Sequence, residues 1–250
     1  MTYAHTSTQY SDKSISIDIP LEAGGPAWSD AVEGLRNRLA GDGDSVGSDG
    51  RPIPFSPQWA RAVQRRLLGV DDCCRDWANS TVLLTPTAST ALPGTEQPVP
   101  PLTHLRQILG TRSARQSALS RALAVVDRWR AVRVLGPTAS GFVAPHVGLY
   151  LSESVQREQF APWVRTHVQN CELATEDAHG EGAVVIEDSP NSTEKTGVVN
   201  YLVENVPGCD TRGDRQHGLG GKPEHRWRSA AVIGASDWES VSAGRPAGCR

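Results

Sequence analysis

The sequence predicts an α+β domain over about residues 78–206, a mostly antiparallel sheet of four to five strands with helices packed on it. Three observations carry that expectation. Short apolar runs alternate with helix-period segments in the order β-α-β-β-α-β-α. Two of the runs, "AVRVL" (131–135) and "HVGLYL" (146–151), are joined by a Gly- and Pro-bearing turn, as in neighbouring strands. No internal repeat divides the 250 residues.

Residues 1–55 read as a disordered tail, because Ser, Thr, Gly and Asp dominate and "GDGDSVGSDG" can bury almost nothing. A helical lead-in follows over 56–77. Ser56-Pro57 supplies an N-cap and a first-turn proline, and Trp59, Val63 and Leu67 repeat at helical spacing, which predicts a helix over 57–68. "STVLLTPTAS" (80–89) predicts a strand, with Pro86 favouring an edge or a bulge. A Pro-rich connection at 93–101 leads to a helix at 103–109. The strongest helical pattern spans 113–130: Arg115, Leu119, Ala122, Leu123, Val126 and Trp129 share one side, with Arg121 and Arg128 opposite. Further helices are expected at 156–170, bent near Pro162, and at 197–206, and a strand at 183–187. From 207 to 250 the chain reads as an irregular Gly-rich segment with a short helix at 225–234.

A net charge of −3 gives no global signature for nucleic acid or anionic lipid, and the mean hydropathy of −0.38 is polar for a globule. The distribution says more. Residues 102–135 carry seven Arg and one Asp, whereas 151–190 carry eight acids and two Arg. No apolar stretch approaches the roughly 20 residues that span a bilayer, so no membrane partner and a cytoplasmic location are expected. The five cysteines (73, 74, 171, 209, 249) form no CxxC pair and read as free thiols, those at 73 and 74 as buried ones.

Five segments in serial order resemble the rolling-circle replication initiators of archaeal, especially haloarchaeal, plasmids, members of the HUH endonucleases. They are "TVLLTPTAS", "RSARQSALSRAL", "VLGPTASGFVAPHVGLYL", "REQFAPWVRTHVQNC" and "VVNYLVENV", together spanning about residues 77–206. The resemblance implies an HUH Rep-like domain over 78–206. It also implies a tyrosine that attacks a phosphodiester of single-stranded origin DNA, and a Mg or Mn ion, if the protein is active, that polarises the phosphate. Two histidines one residue apart on a strand point to the same face and can share one ion.

Carried over position by position, the resemblance makes Tyr201 the nucleophile and His146 a metal ligand. Ala144 stands where the first histidine belongs, Gly136 where many members place Glu, and Asn205 where two-tyrosine members carry the second tyrosine. One neutral imidazole fixes a hard divalent ion weakly, so cleavage is expected to be impaired, unless His104, Asp177 or His179 substitutes. Arg121 and Arg128 are the expected nucleic-acid contacts. The partners implied are single-stranded or hairpin origin DNA and host replication proteins. The alternatives are a DNA-binding protein on the same scaffold that no longer cuts, and a decayed gene product. Cys209, His217 and His225 are too widely spaced for an ordinary zinc site, and "GLGGK" (218–222) lacks the full phosphate-loop pattern.

Overall fold

The longest pairing joins β2 (Trp129–Pro137) to β3 (Val143–Leu151), with Val134 opposite His146 and Gly136 opposite Ala144. Their turn closes through Thr138 N–H to the Phe142 carbonyl (2.8 Å), and Gly141 takes a φ of 82° there, which a side chain would strain. The computed structural model describes residues 19–41, 50–138, 140–176, 179, 181–188, 194–208, 223–236 and 241–243. β1 (Ser80–Leu84) pairs antiparallel with β3 on one side and with β4 (Val184–Asp188) on the other. β5 (Val241–Ala243) adds to the outer edge of β2, giving one antiparallel sheet of order β4-β1-β3-β2-β5. The α+β class and the sheet are as the sequence predicts.

Alternation along the strands sends neighbouring residues to opposite faces. Leu83, Val132, Val134 and Tyr150 meet α2 (Pro57–Cys74) and α6 (Gly197–Glu204), through Ala60, Val63, Leu67, Val198, Val199 and Leu202. Val82, Leu84, Leu149 and Leu151 face the other way, onto α4 (Arg112–Ala122) and the Arg157–Phe160 turn that leads into α5 (Ala161–Asn170). A further core joins α1 (Trp28–Gly41), α3 (Pro101–Gly110) and α7 (Pro223–Gly234) over the tip of the β2–β3 hairpin, through Leu135, Phe142 and Val143.

Four expectations are corrected. β1 is an inner strand rather than an edge, because Pro86 falls beyond its last residue, Leu84. The tail does not extend over residues 19–41: Trp28, Val32, Leu35 and Leu39 form a helical stripe, and Trp28 is wholly buried, edge-on to Phe142, in the core that also holds Leu102. Residues 1–18 and 42–49 lie outside the described residues. The helix expected over 113–130 ends at Ala122, and Leu123 caps it. Leu123 and Val126 stay buried through the following turn, which imitates helical spacing, while Trp129 pairs with Leu151 as the first residue of β2. Nine paired strand residues outweigh local helix propensity there. Finally, Cys74 is buried on the inner stripe of α2, but Cys73 is exposed. In the segment from 207, α7 and β5 are regular, and Trp227, Ala230 and Ile233 belong to a core.

Candidate functional site

α6 lies directly on the sheet because two glycines beneath it have no side chain. A Cβ at Gly148 would meet Leu202 Cδ1 at 2.8 Å and Val198 at 3.0 Å. A Cβ at Gly136 would meet the Asn205 carbonyl oxygen at 2.6 Å and His146 Cδ2 at 3.2 Å. The start of α6 is fixed by two carboxylates. Thr196 is its N-cap, accepting from Val199 N–H (3.3 Å) and donating its hydroxyl to the buried Asp71 (2.6 Å). Asp71 also accepts from Tyr150 OH (2.9 Å), and Glu187 accepts from Gly197 N–H (2.9 Å) at the positive end of the helix.

This placement sets Tyr201 beside His146, with ring centroids 5.2 Å apart. Thr85, just past the end of β1, completes the group: its hydroxyl lies 3.2 Å from His146 Nδ1. The imidazole is buried, and its Nε2 has no hydrogen-bond partner among the described residues. Burial pushes the His146 pKa down to about 4, against the opposing pull of the Pro137 carbonyl, so the ring is neutral at ordinary pH. Burial, and then the charge of Glu204, push the Tyr201 phenol up to about 12, so it is protonated. The arrangement can present a neutral nitrogen and a phenol side by side. Ionising that phenol needs a positive charge, or a stronger base than the buried His146 imidazole, beside it.

Thr85 begins a strap, residues 85–89, held by four buried histidines. His167 Nε2 donates to the Thr87 carbonyl (2.8 Å), and His104 Nε2 donates to the Ala88 carbonyl (3.3 Å). Thr87 N–H donates to His179 Nε2 (3.3 Å), whose Nδ1 donates to the Thr175 carbonyl (2.7 Å). Burial is the leading cause in each case, lowering His104 to about 4 and His167 to about 3, and lowering His179 as well. His104 and His179, considered from sequence as substitute ligands, are therefore engaged with the strap backbone and not with His146. Asp177 lies outside the described residues, as do Cys209, His217 and residues 218–222.

The structure brings Tyr201, His146, Gly136 and Ala144 together, but not the two expected arginines. Arg121 is exposed on α4, on the sheet face opposite α6. Arg128 precedes β2, with its guanidinium 4.1 Å from the centre of the Trp77 ring. It sits next to Trp129, five strand residues from the Val134–His146 pair, so about 17 Å along the sheet. Arg115, placed by periodicity on the inner side of its helix, is indeed buried; it donates to Thr111 Oγ1 (2.8 Å) and the Ile108 carbonyl (3.0 Å). Sequence reasoning missed Thr85, Asp71 and the histidine strap. Asp71 had a signal in its spacing, four residues after Leu67 on the buried stripe of α2.

Among the described residues, no group of three or more His, Cys, Asp or Glu side chains is placed to hold a metal ion. No helix there is long and apolar enough to cross a membrane. Two relatives from haloarchaea share much of the chain. An "Uncharacterized 36 kDa protein" of Halobacterium salinarum is 30% identical over 196 residues, 73% of this chain and 61% of its own length. An "Uncharacterized 36 kDa protein" of Halobacterium sp. (strain GN101) is 29% identical over 181 residues, 63% of this chain and 53% of its own. The chain thus spans between half and two thirds of the length of these relatives. No solved structure matches it. The model of the family described as "Putative rep protein (DUF1424)" matches residues 36–202, well over half of the chain, and the chain belongs to that family.

Proposed function

We propose that this chain initiates plasmid replication in the rolling-circle manner, recognising single-stranded or hairpin origin DNA, with Tyr201 as its nucleophile and with cleavage impaired. Membership of a Rep family supports the replication role. The observation that carries the site is the ring of Tyr201 set against His146, the two residues that the HUH resemblance selects. In that chemistry a Mg or Mn ion polarises the scissile phosphate. The described residues do not fit such an ion. His146 offers one buried nitrogen, Ala144 offers none, and the Asn205 carbonyl fills the space over Gly136. One nitrogen and one carbonyl fall well short of the roughly six oxygen ligands these ions favour.

That packing favours a second reading, a Rep-derived protein that binds origin DNA without cutting it. One experiment separates the two. The protein is incubated with Mn²⁺ and labelled single-stranded oligonucleotides tiling the DNA around its own gene, and covalent adducts are sought on denaturing gels. A weak adduct that disappears in Tyr201→Phe supports the first reading. Binding without any adduct supports the second. An adduct that survives Tyr201→Phe sinks the assignment of the nucleophile.

A further inference from the structure

We infer that the outward face of α2 is the surface that holds single-stranded DNA; this rests on the reading above. Arg61, Arg65 and Arg66 are all exposed there, and residues 57–70 contain no carboxylate. None of the three makes an ion pair among the described residues, whose salt bridges involve Arg75 and Arg106. The side chains are held outward because Ala60, Val63, Leu67 and Asp71 occupy the opposite stripe. Like charges four residues apart disfavour a helix. Arg65 nevertheless folds back to donate its Nε to the Arg61 carbonyl (3.4 Å), which gathers the two guanidinium groups on one side. Packing gives no reason for this accumulation of charge, whereas a phosphodiester backbone does.

The surroundings suit a single strand. Trp59 is half-buried in the first turn of α2, with its ring centre 5.2 Å from that of Phe55. Phe55 and Arg38 Nη2 both reach Gly234, at 3.3 and 3.9 Å from where its Cβ would be. The half-buried Trp59 ring thus stands in the first turn of the helix that bears the three arginines, and arginines with an aromatic ring are the combination that binds unpaired bases and their phosphates without reading sequence. Location decides between this face and α4. Gln64 Nε2 donates to the Val203 carbonyl (3.4 Å), so the arginine-bearing half of α2 lies beside the last turn of α6, which carries Tyr201. A strand on α2 lies on the sheet face of Tyr201, and a strand on α4 lies on the other face.

The test is fluorescence anisotropy with a labelled oligothymidylate, across a salt series, on the full chain. Arg61→Ala, Arg65→Ala and Arg66→Ala combined should weaken binding about tenfold or more, and lower the slope of log affinity against log salt by about 2. The corresponding Lys triple variant should recover most of the affinity. Exposed helix positions accept Ala, so an unchanged melting temperature accompanies the loss. Wild-type affinity in the Ala triple variant, or a loss confined to Arg121→Ala with Arg128→Ala, would overturn the α2 surface and leave the initiator reading intact. No binding by the wild type to oligothymidylate or hairpin DNA would overturn both. Tighter binding to RNA of equal length would overturn the choice of partner.

Discussion

The ring of Tyr201 stands edge-on to that of His146, the planes 76° apart, across the junction of α6 and β3. Tyrosine chemistry at this place depends on the phenol's ionisation, which burial opposes first and Glu204 second. Glu204→Gln should lower the Tyr201 midpoint while leaving it above the free-phenol value of about 10, since burial remains. Phenolate absorbance in an alkaline titration, with Tyr201→Phe subtracted, measures it. An unmoved midpoint would show that Glu204 does not act on the ring.

Two glycines under α6 should differ in tolerance. At Gly136 the obstacle is the Asn205 backbone, whereas at Gly148 it is the ends of Leu202 and Val198, which can turn aside. Gly136→Ala should cost about 1–3 kcal/mol and Gly148→Ala less, read from urea midpoints. The same obstacle bears on metal repair. Gly136→Glu with Ala144→His should lower stability without producing a Mn²⁺-dependent adduct, and a robust adduct in that variant would contradict the packing described.

Asp71 ties α2, β3 and α6 at one buried carboxylate. Asp71→Ala leaves the Tyr150 and Thr196 hydroxyls without their acceptor and should destabilise the fold by about 3 kcal/mol. Tyr150→Phe removes one donor and should cost about 1 kcal/mol. Chemical denaturation ranks them; equal losses would mean that Thr196 contributes nothing to the tie.

Acid should loosen the strap. His104, His146 and His167 have folded pKa values of about 4, 4 and 3, below the ordinary 6.5. The unfolded chain therefore binds protons more readily than the native one. The contribution of each neutral ring is fully present above about pH 6.5 and is lost as pH falls through its folded value, about 4 for His104 and His146 and about 3 for His167, with a limiting slope of about 1.4 kcal/mol per pH unit for each. A proton on His179 Nε2 would also face the Thr87 N–H, donor against donor. Urea midpoints should be flat from pH 8 to 7 and fall steeply between about 6 and 4.5. His167→Gln should flatten part of that fall. A midpoint that rises on acidification would contradict the neutral, buried state of these rings.

Much of the scaffold was legible in the sequence because the signals were local. Ser56 caps α2 as its sequence suggests, accepting from Trp59 N–H (3.2 Å), and the turn at Gly141 divides two apolar runs that do pair. α1 was missed although Trp28, Val32, Leu35 and Leu39 have helical spacing, because the polar composition around them outweighed four residues. His146 and Tyr201 were found through resemblance, not periodicity. The strap was out of reach: three of its four histidines lie 61, 80 and 92 residues from the atoms they bind, and isolated histidines announce no fold. The resemblance marks Asn205 by the side chain it lacks, and gives no hint that its backbone carbonyl lies 2.6 Å from where a Gly136 Cβ would be.

The strand order also sets a sequence of events during synthesis. β2 and β3 are joined by a tight turn and close with little loss of chain entropy, but β1 must wait for β3, and β4 must then return to β1. Tyr201 reaches His146 only after α6 has emerged and settled over Gly136 and Gly148. The hairpin with its histidine is thus complete in the chain before the tyrosine, and the paired rings form later. A ribosome-bound chain halted before residue 197 would carry the β1, β2 and β3 segments while lacking the tyrosine altogether.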